Sequence, residues 1–78
     1  MSIRILFFGA TADIVGSRQL SIENAEVTAN ALIHAIVSDH PKLAAHKLLI
    51  SINQQYAASD EIVHDGDELA IFTPVSGG

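Results

Sequence analysis

The sequence contains no cysteine, and its four basic residues stand against nine acidic ones, which gives a formal net charge of −5. Without cysteine, the chain cannot build a disulfide scaffold, a thiolate metal site or a cysteine nucleophile of its own. The shortage of lysine and arginine makes nucleic acid and anionic membranes poor partners, because both need cations to neutralise phosphate. No apolar run of membrane-spanning length and no leader-like start is present, so we expect a cytoplasmic protein.

The chain is short, and its acidic excess is confined to one part of it. Its 78 residues, 49% of them apolar, suffice for one domain with a small core. A domain of this size buries only about 60% of its unfolded surface, so a thin stability margin is expected. Residues 1–47 carry equal numbers of acidic and basic side chains, whereas residues 48–78 carry five acidic side chains and no basic one. This layout favours a protein partner with a basic docking face; solubility alone is the alternative explanation.

Four runs of β-branched, aromatic or alternating apolar residues predict strands. They cover residues 3–8, 18–22, 48–52 and 68–72, and a brief edge strand is expected at 56–59. In the first strand, a period of two directs Ile3, Ile5 and Phe7 towards the core and leaves Phe8 outside. In the last strand, the same alternation leaves Phe72 outside.

One main helix is predicted in the middle of the chain. Thr28 is a suitable N-cap, because its hydroxyl can accept a hydrogen bond from an orphan N–H of the first turn. Apolar side chains then recur at helical spacing up to Asp39, and Pro41 disfavours helical geometry beyond that point. The apolar face consists of Leu32, Ile33, Ile36 and Val37. Residues 9–16 read as a connection, with room for a short helical turn at 13–16.

The order of these elements is strand, strand, helix, strand, short strand, strand. A single helix covers only one face of a sheet, and a hairpin followed by a helix brings the last strand back beside the first, in parallel. The sequence therefore predicts an α+β fold of the β-grasp, or ubiquitin-like, type, with a mixed sheet of four to five strands and one main helix packed on one face. We expect this domain to span residues 1–73 and a flexible tail to span residues 74–78.

The tail is the most informative segment for function. Pro74 cannot extend a strand ladder because it lacks an N–H, and Gly77 and Gly78 have no side chains to pack. The segment reaches roughly 16 Å when extended, so it can carry a terminal carboxylate into a narrow cleft of another protein. Adenylation turns a carboxylate into an acyl donor, which suits a carrier that works through the C-terminal carbonyl of Gly78. An end without a role is the alternative.

Four segments together resemble the small subunit of molybdopterin synthase. They are Ile3–Phe8, Ile52-Asn53-Gln54, the turn Asp65-Gly66-Asp67-Glu68 and the tail Pro74-Val75-Ser76-Gly77-Gly78. The resemblance covers essentially the whole chain, and the combination of the Gly-Asp-Glu turn with the Pro-Val-Ser-Gly-Gly end is specific. The chain departs from this family at Thr73, where many members have a second proline, and in residues 9–13, which lack the Arg-Glu often found there.

The resemblance implies a sulfur carrier in molybdenum cofactor biosynthesis. An E1-like adenylyltransferase would adenylate Gly78 with ATP and magnesium, and a sulfur donor would convert the end into a thiocarboxylate. The tail residues Pro74, Val75, Ser76 and Gly77 would insert it into the large subunit of molybdopterin synthase, where the sulfur passes to the pterin precursor. The large subunit would supply the catalytic side chains in a heterotetramer of two small and two large subunits, and this chain itself would bind no cofactor.

Other functions fit the same fold and tail. The related thiamine-pathway sulfur carriers share both, and a carrier for another sulfur pathway would look alike. A ubiquitin-like tag that is joined to lysines also ends in two glycines. A plain interaction module whose tail does nothing is the third alternative.

The partner-binding residues are predicted from the large side chains that strand alternation places on the outer face of the sheet. Phe8, Tyr56 and Phe72 are the large side chains in this group, and Phe8 and Phe72 point the same way on neighbouring strands. We hypothesise that they form a hydrophobic docking patch beside the tail, because the sheet face opposite the helix needs a cover; scattered surface residues are the alternative.

The charged candidates are acidic. Asp65, Asp67 and Glu68 would steer the chain towards basic partner faces, with turn chemistry and solubility as the alternative. The histidines show no metal-ligand spacing, so no metal site is expected. They are His34, His40, His46 and His64.

Overall fold

The computed structural model describes residues 2–23, 26–58 and 60–74. Its strands are β1 (Ile3–Phe7), β2 (Gln19–Ile22), β3 (Glu26–Thr28), β4 (Leu49–Ile52), β5 (Gln55–Tyr56), β6 (Ile62–His64) and β7 (Glu68–Phe72). Its helices are α1 (Ala10–Val15), α2 (Ala29–Asp39) and a short 3₁₀ helix (Pro41–Ala45). The predicted tail residues Val75, Ser76, Gly77 and Gly78 lie outside the described residues, as does Ser59 of the expected edge strand. The boundary between domain and tail therefore stays a prediction.

The main sheet is mixed, and its first and last strands are neighbours. Five strands lie in the order β2-β1-β7-β4-β5. β1 pairs antiparallel with β2 and in parallel with β7, so Ile5 lies opposite both Leu20 and Leu69. On its other side β7 pairs antiparallel with β4, which makes it the central strand. The predicted hairpin and parallel return are confirmed, and the arrangement is a β-grasp.

The core lies between this sheet and α2. Thr28 caps the helix as predicted, by accepting a hydrogen bond from the N–H of Ala31 at 3.1 Å, and the helix ends at Asp39. Its side chains Leu32 and Ile36 are buried. The buried side chains of the strands are Ile3, Ile5, Phe7, Ile50, Val63, Leu69 and Ile71. The alternation read from the sequence therefore identified the inward face of β1 and of β7.

Three local features differ from the sequence prediction. β3 and β6 form a second, two-stranded antiparallel sheet in which Glu26 lies opposite His64; strands of three residues are too short to show a period. The segment after β1 is the helix α1 rather than a connection, and it lies between Gly9 (φ 61°) and Gly16 (φ 81°), backbone angles that favour glycine. The edge strand β5 covers only Gln55–Tyr56: it begins one position earlier than expected and does not include Ala57 and Ala58.

Candidate functional site

The root of the tail is the end of the central strand. β7 stops at Phe72, and Thr73 and Pro74 follow without strand pairing. The N–H of Phe8 donates to the carbonyl of Ile71 at 3.1 Å. β7 is therefore hydrogen-bonded to the β1 side of the sheet almost to its last residue. The tail therefore starts from a rigid point, at the same end of the sheet as the end of β1.

The aromatic side chains predicted to lie outside are found at this end. Phe8 is 52% exposed and Tyr56 is 79% exposed, whereas Phe72 is half-buried. The rings of Tyr56 and Phe72 lie 6.0 Å apart with a tilt of 54°. Phe8 and Phe72, together with Thr73 and Pro74, line an open cleft of about 380 Å³. We call Phe8, Tyr56 and Phe72 the aromatic patch. An exposed apolar surface beside a tail root is typical of a docking site.

The acidic candidates lie at the opposite end of β7. Asp65, Asp67 and Glu68 stand at the start of that strand, whereas Pro74 follows its end. A strand of this length spans about 16 Å, so the acids and the aromatic patch are not one cluster. Glu68 also forms a salt bridge with Arg4 at 3.4 Å, in register with the β1–β7 pairing. A steering role for the acids stays a prediction.

Asp67 is held by a local network that joins two of the segments behind the family resemblance. Its carboxylate accepts hydrogen bonds from the backbone N–H of His64 at 2.9 Å and from the side-chain amide of Asn53 at 3.0 Å. Asn53 also accepts the N–H of Glu68 through its side-chain oxygen, at 3.0 Å. These bonds, the one from His64 first, hold the pKa of Asp67 below its usual value. The network locks the turn before β7 onto the end of β4.

This network predicts an acid-sensitive share of the stability. The pKa of Asp67 is lower in the folded chain than its ordinary value of 3.8, so its stabilising contribution is complete above that pH and is lost as the pH falls through the folded-state pKa. Urea unfolding of wild type and Asp67→Asn at about pH 6 and about pH 3 should give a free-energy difference that shrinks at the lower pH. A difference that is the same at both pH values would contradict the assignment.

One buried polar residue was not singled out from the sequence. Thr11 in α1 is fully buried, and its Oγ1 lies 2.6 Å from the carbonyl oxygen of Phe8 and 3.1 Å from that of Ile71. The sequence predicts a connection over residues 9–16, and a connection has no inward face on which a buried hydroxyl would be expected. The i, i+4 spacing of Thr11 and Val15 on a helix is the signal that would have placed its hydroxyl on the inward face.

Within residues 2–23, 26–58 and 60–74, no group of three or more His, Asp or Glu side chains is arranged to hold a metal ion. None of the helices in those ranges is long and apolar enough to cross a membrane.

Comparison with known proteins identifies the family. The model of the ThiS family matches residues 5–78. The molybdopterin synthase sulfur carrier subunit of Escherichia coli is 38% identical, and that of Haemophilus influenzae is 34% identical. Each alignment covers 97% of this chain and 99% of the relative.

Solved structures agree on the fold. The crystal structure of small archaeal modifier protein 1 from Haloferax volcanii superposes with a TM-score of 0.82 at 30% identity and covers all of both chains. A chain from the complex of subunits 1 and 2 of molybdopterin-converting factor from Helicobacter pylori superposes with a TM-score of 0.68 at 21% identity. These likenesses define a ubiquitin-like β-grasp protein. The chain belongs to the ThiS family.

Proposed function

We propose that this chain is the sulfur carrier subunit of a molybdopterin synthase. The observation that carries the proposal is the full-length similarity to the sulfur carrier subunits of Escherichia coli and Haemophilus influenzae. It is supported by a tail that starts at the end of the central strand beside the exposed aromatic patch. A carrier of this kind needs only a rigid body, a docking surface and a reactive end.

The chemistry takes place at the carbonyl carbon of Gly78. A carboxylate oxygen attacks the α-phosphorus of ATP on an E1-like adenylyltransferase, which forms the acyl-adenylate and releases pyrophosphate. A hydrosulfide-equivalent donor then attacks the carbonyl carbon, and AMP leaves with the displaced oxygen. The product is a thiocarboxylate. Its sulfur attacks the pterin precursor within the large subunit, and water then cleaves the bond between that sulfur and the carbonyl carbon, which returns Gly78 as a carboxylate. Magnesium acts with ATP on the activating partner, and this chain contributes no catalytic side chain.

The large subunit is the partner that binds the aromatic patch. The complex from Helicobacter pylori joins two subunits of a molybdopterin-converting factor, and a chain with this fold is one of them. An apolar surface at the tail root can dock while the tail residues Pro74, Val75, Ser76 and Gly77 enter the cleft. We propose a cytoplasmic heterotetramer of two small and two large subunits.

Phe72→Glu is expected to weaken binding to the large subunit by about tenfold or more, because a charge placed in an apolar interface must be desolvated without a partner. The fold should persist, since Phe72 lies on the outer face of β7. Calorimetric titration with the large subunit measures the affinity, and circular dichroism checks the fold.

Ile62→Glu is the matched control for this experiment. Ile62 is an exposed apolar residue, 50% accessible, but it lies on the separate sheet of β3 and β6. Its substitution should leave the affinity unchanged. Equal affinities for wild type and Phe72→Glu would refute a role for the aromatic patch in docking.

A protein modifier is the second candidate function. Small archaeal modifier protein 1 of Haloferax volcanii is 32% identical over 91% of this chain, so conjugation to lysines is a specific alternative. Intact mass of the chain after incubation with the activating enzyme, ATP and a sulfide source separates the two. Replacement of one oxygen by one sulfur supports the carrier, an isopeptide to lysine supports the modifier, and an unchanged end contradicts both.

A further inference from the structure

The hydrogen bonds between β1 and β7 follow a regular parallel pattern. The N–H of Arg4 donates to the carbonyl of Asp67, and the N–H of Phe8 donates to the carbonyl of Ile71, both at 3.1 Å. In a parallel ladder each such residue also accepts, through its own carbonyl, the N–H two positions beyond its acceptor. The next bond in the pattern would therefore join the carbonyl of Phe8 to the N–H of Thr73.

That bond is replaced by a side chain. Within the described residues, the carbonyl of Phe8 accepts the hydroxyl of Thr11 at 2.6 Å, and no backbone bond joins it to Thr73. The same hydroxyl lies 3.1 Å from the carbonyl of Ile71. Thr11 is fully buried although Phe8 is half exposed, so the hydroxyl itself has no access to water. A buried polar group is generally hydrogen-bonded, and the single proton of this hydroxyl goes to the nearer carbonyl, that of Phe8, while the oxygen lies beside the end of β7 at Ile71.

We propose that Thr11 is a positioning residue for the tail: its hydroxyl occupies the carbonyl of Phe8, ends the β1–β7 ladder at Ile71 and so keeps Thr73 unpaired immediately before the tail. The inference rests on the proposed carrier function. If Thr73 were paired with Phe8, the ladder would extend and the free segment would lose about 3.3 Å of reach for each residue taken up. A misplacement of this size at the reacting end costs rate even when the fold is unchanged.

Three variants test this role. Thr11→Val removes the hydroxyl at nearly constant volume, so the carbonyl of Phe8 becomes free to accept the N–H of Thr73. Thr11→Ser keeps the hydroxyl. The double variant Thr11→Val/Thr73→Pro removes the hydroxyl and also the N–H that would extend the ladder, because proline has none.

Two measurements apply to each full-length variant. Amide hydrogen exchange by NMR reports whether the N–H of Thr73 is paired, and intact mass over time reports the rate of thiocarboxylate formation with the E1-like adenylyltransferase, ATP and sulfide. For Thr11→Val we expect slower exchange at Thr73 and a rate about tenfold lower. Thr11→Ser should match the wild type, and the double variant should recover the rate.

The outcomes are separable. Exchange at Thr73 that stays as fast in Thr11→Val as in the wild type overturns the inference, and so does a double variant no faster than the single one. If Thr11→Val fails to fold, Thr73→Pro alone decides: it should match the wild type rate, and a lower rate overturns the inference. A wild type that forms no thiocarboxylate refutes the carrier function, whereas the exchange result for Thr73 still stands.

Discussion

Removal of Gly78 is expected to abolish thiocarboxylate formation while the domain stays folded. The reactive carbonyl belongs to that residue, and a chain one residue shorter presents the carbonyl of Gly77 about 3.3 Å short of the position where adenylation occurs. Intact mass after incubation with the activating enzyme gives the direct measurement. Cofactor production in cells that lack their own carrier gives the physiological one.

Lys42→Ala is the control for this truncation, because it changes an exposed side chain outside the tail and the aromatic patch but keeps the length and both glycines. It should be modified at a rate close to that of the wild type. If the truncated chain still gains sulfur or still supports cofactor production, the terminal carbonyl of Gly78 is not the reactive group and the carrier proposal fails.

Phe7→Ala is expected to lower the stability of the domain, whereas Phe8→Ala is expected to lower its affinity for the large subunit, although the two residues are adjacent. Phe7 is 2% exposed and lies within the core, whereas Phe8 is 52% exposed in the aromatic patch. Truncation of a buried phenylalanine costs about 3–5 kcal/mol, a large part of the roughly 4–12 kcal/mol expected for a domain of this length. Phe8→Ala should cost little stability and should instead weaken binding to the large subunit.

Chemical denaturation and titration with the large subunit, applied to both variants, measure this contrast. Phe7→Ala should unfold at a much lower urea concentration than the wild type, and Phe8→Ala at nearly the same one. Loss of stability in Phe8→Ala comparable to that in Phe7→Ala would show that the exposed ring supports the fold rather than docking.

The regular strands could be predicted because they are long enough to repeat. Alternation over five residues separated Phe7 from Phe8, and the bounds of the four long strands are within one residue of those expected. β3 and β6 have three residues each, which is less than two full periods. Their pairing of Glu26 with His64 depends on loops that only the folded chain brings together.

The site was predictable in part for the same reason. The exposure of Phe8 and Tyr56 follows from strand alternation. Asp65 and Asp67 lie close to the tail in sequence but far from it in space. Their separation follows from β7, which runs between them and the tail in an extended conformation. Helical spacing with Val15 indicates only that Thr11 faces inward. Its role depends on two backbone carbonyls that come together in the fold, and no sequence pattern records that.

The position of β7 has a mechanical consequence. This strand is bonded along both edges, to β1 in parallel and to β4 antiparallel, and the tail continues directly from its end. A partner that pulls on the tail therefore loads both ladders in shear, so that their hydrogen bonds resist the force together instead of opening one by one. The tail can therefore be withdrawn from a deep cleft of the partner without separating β7 from the sheet.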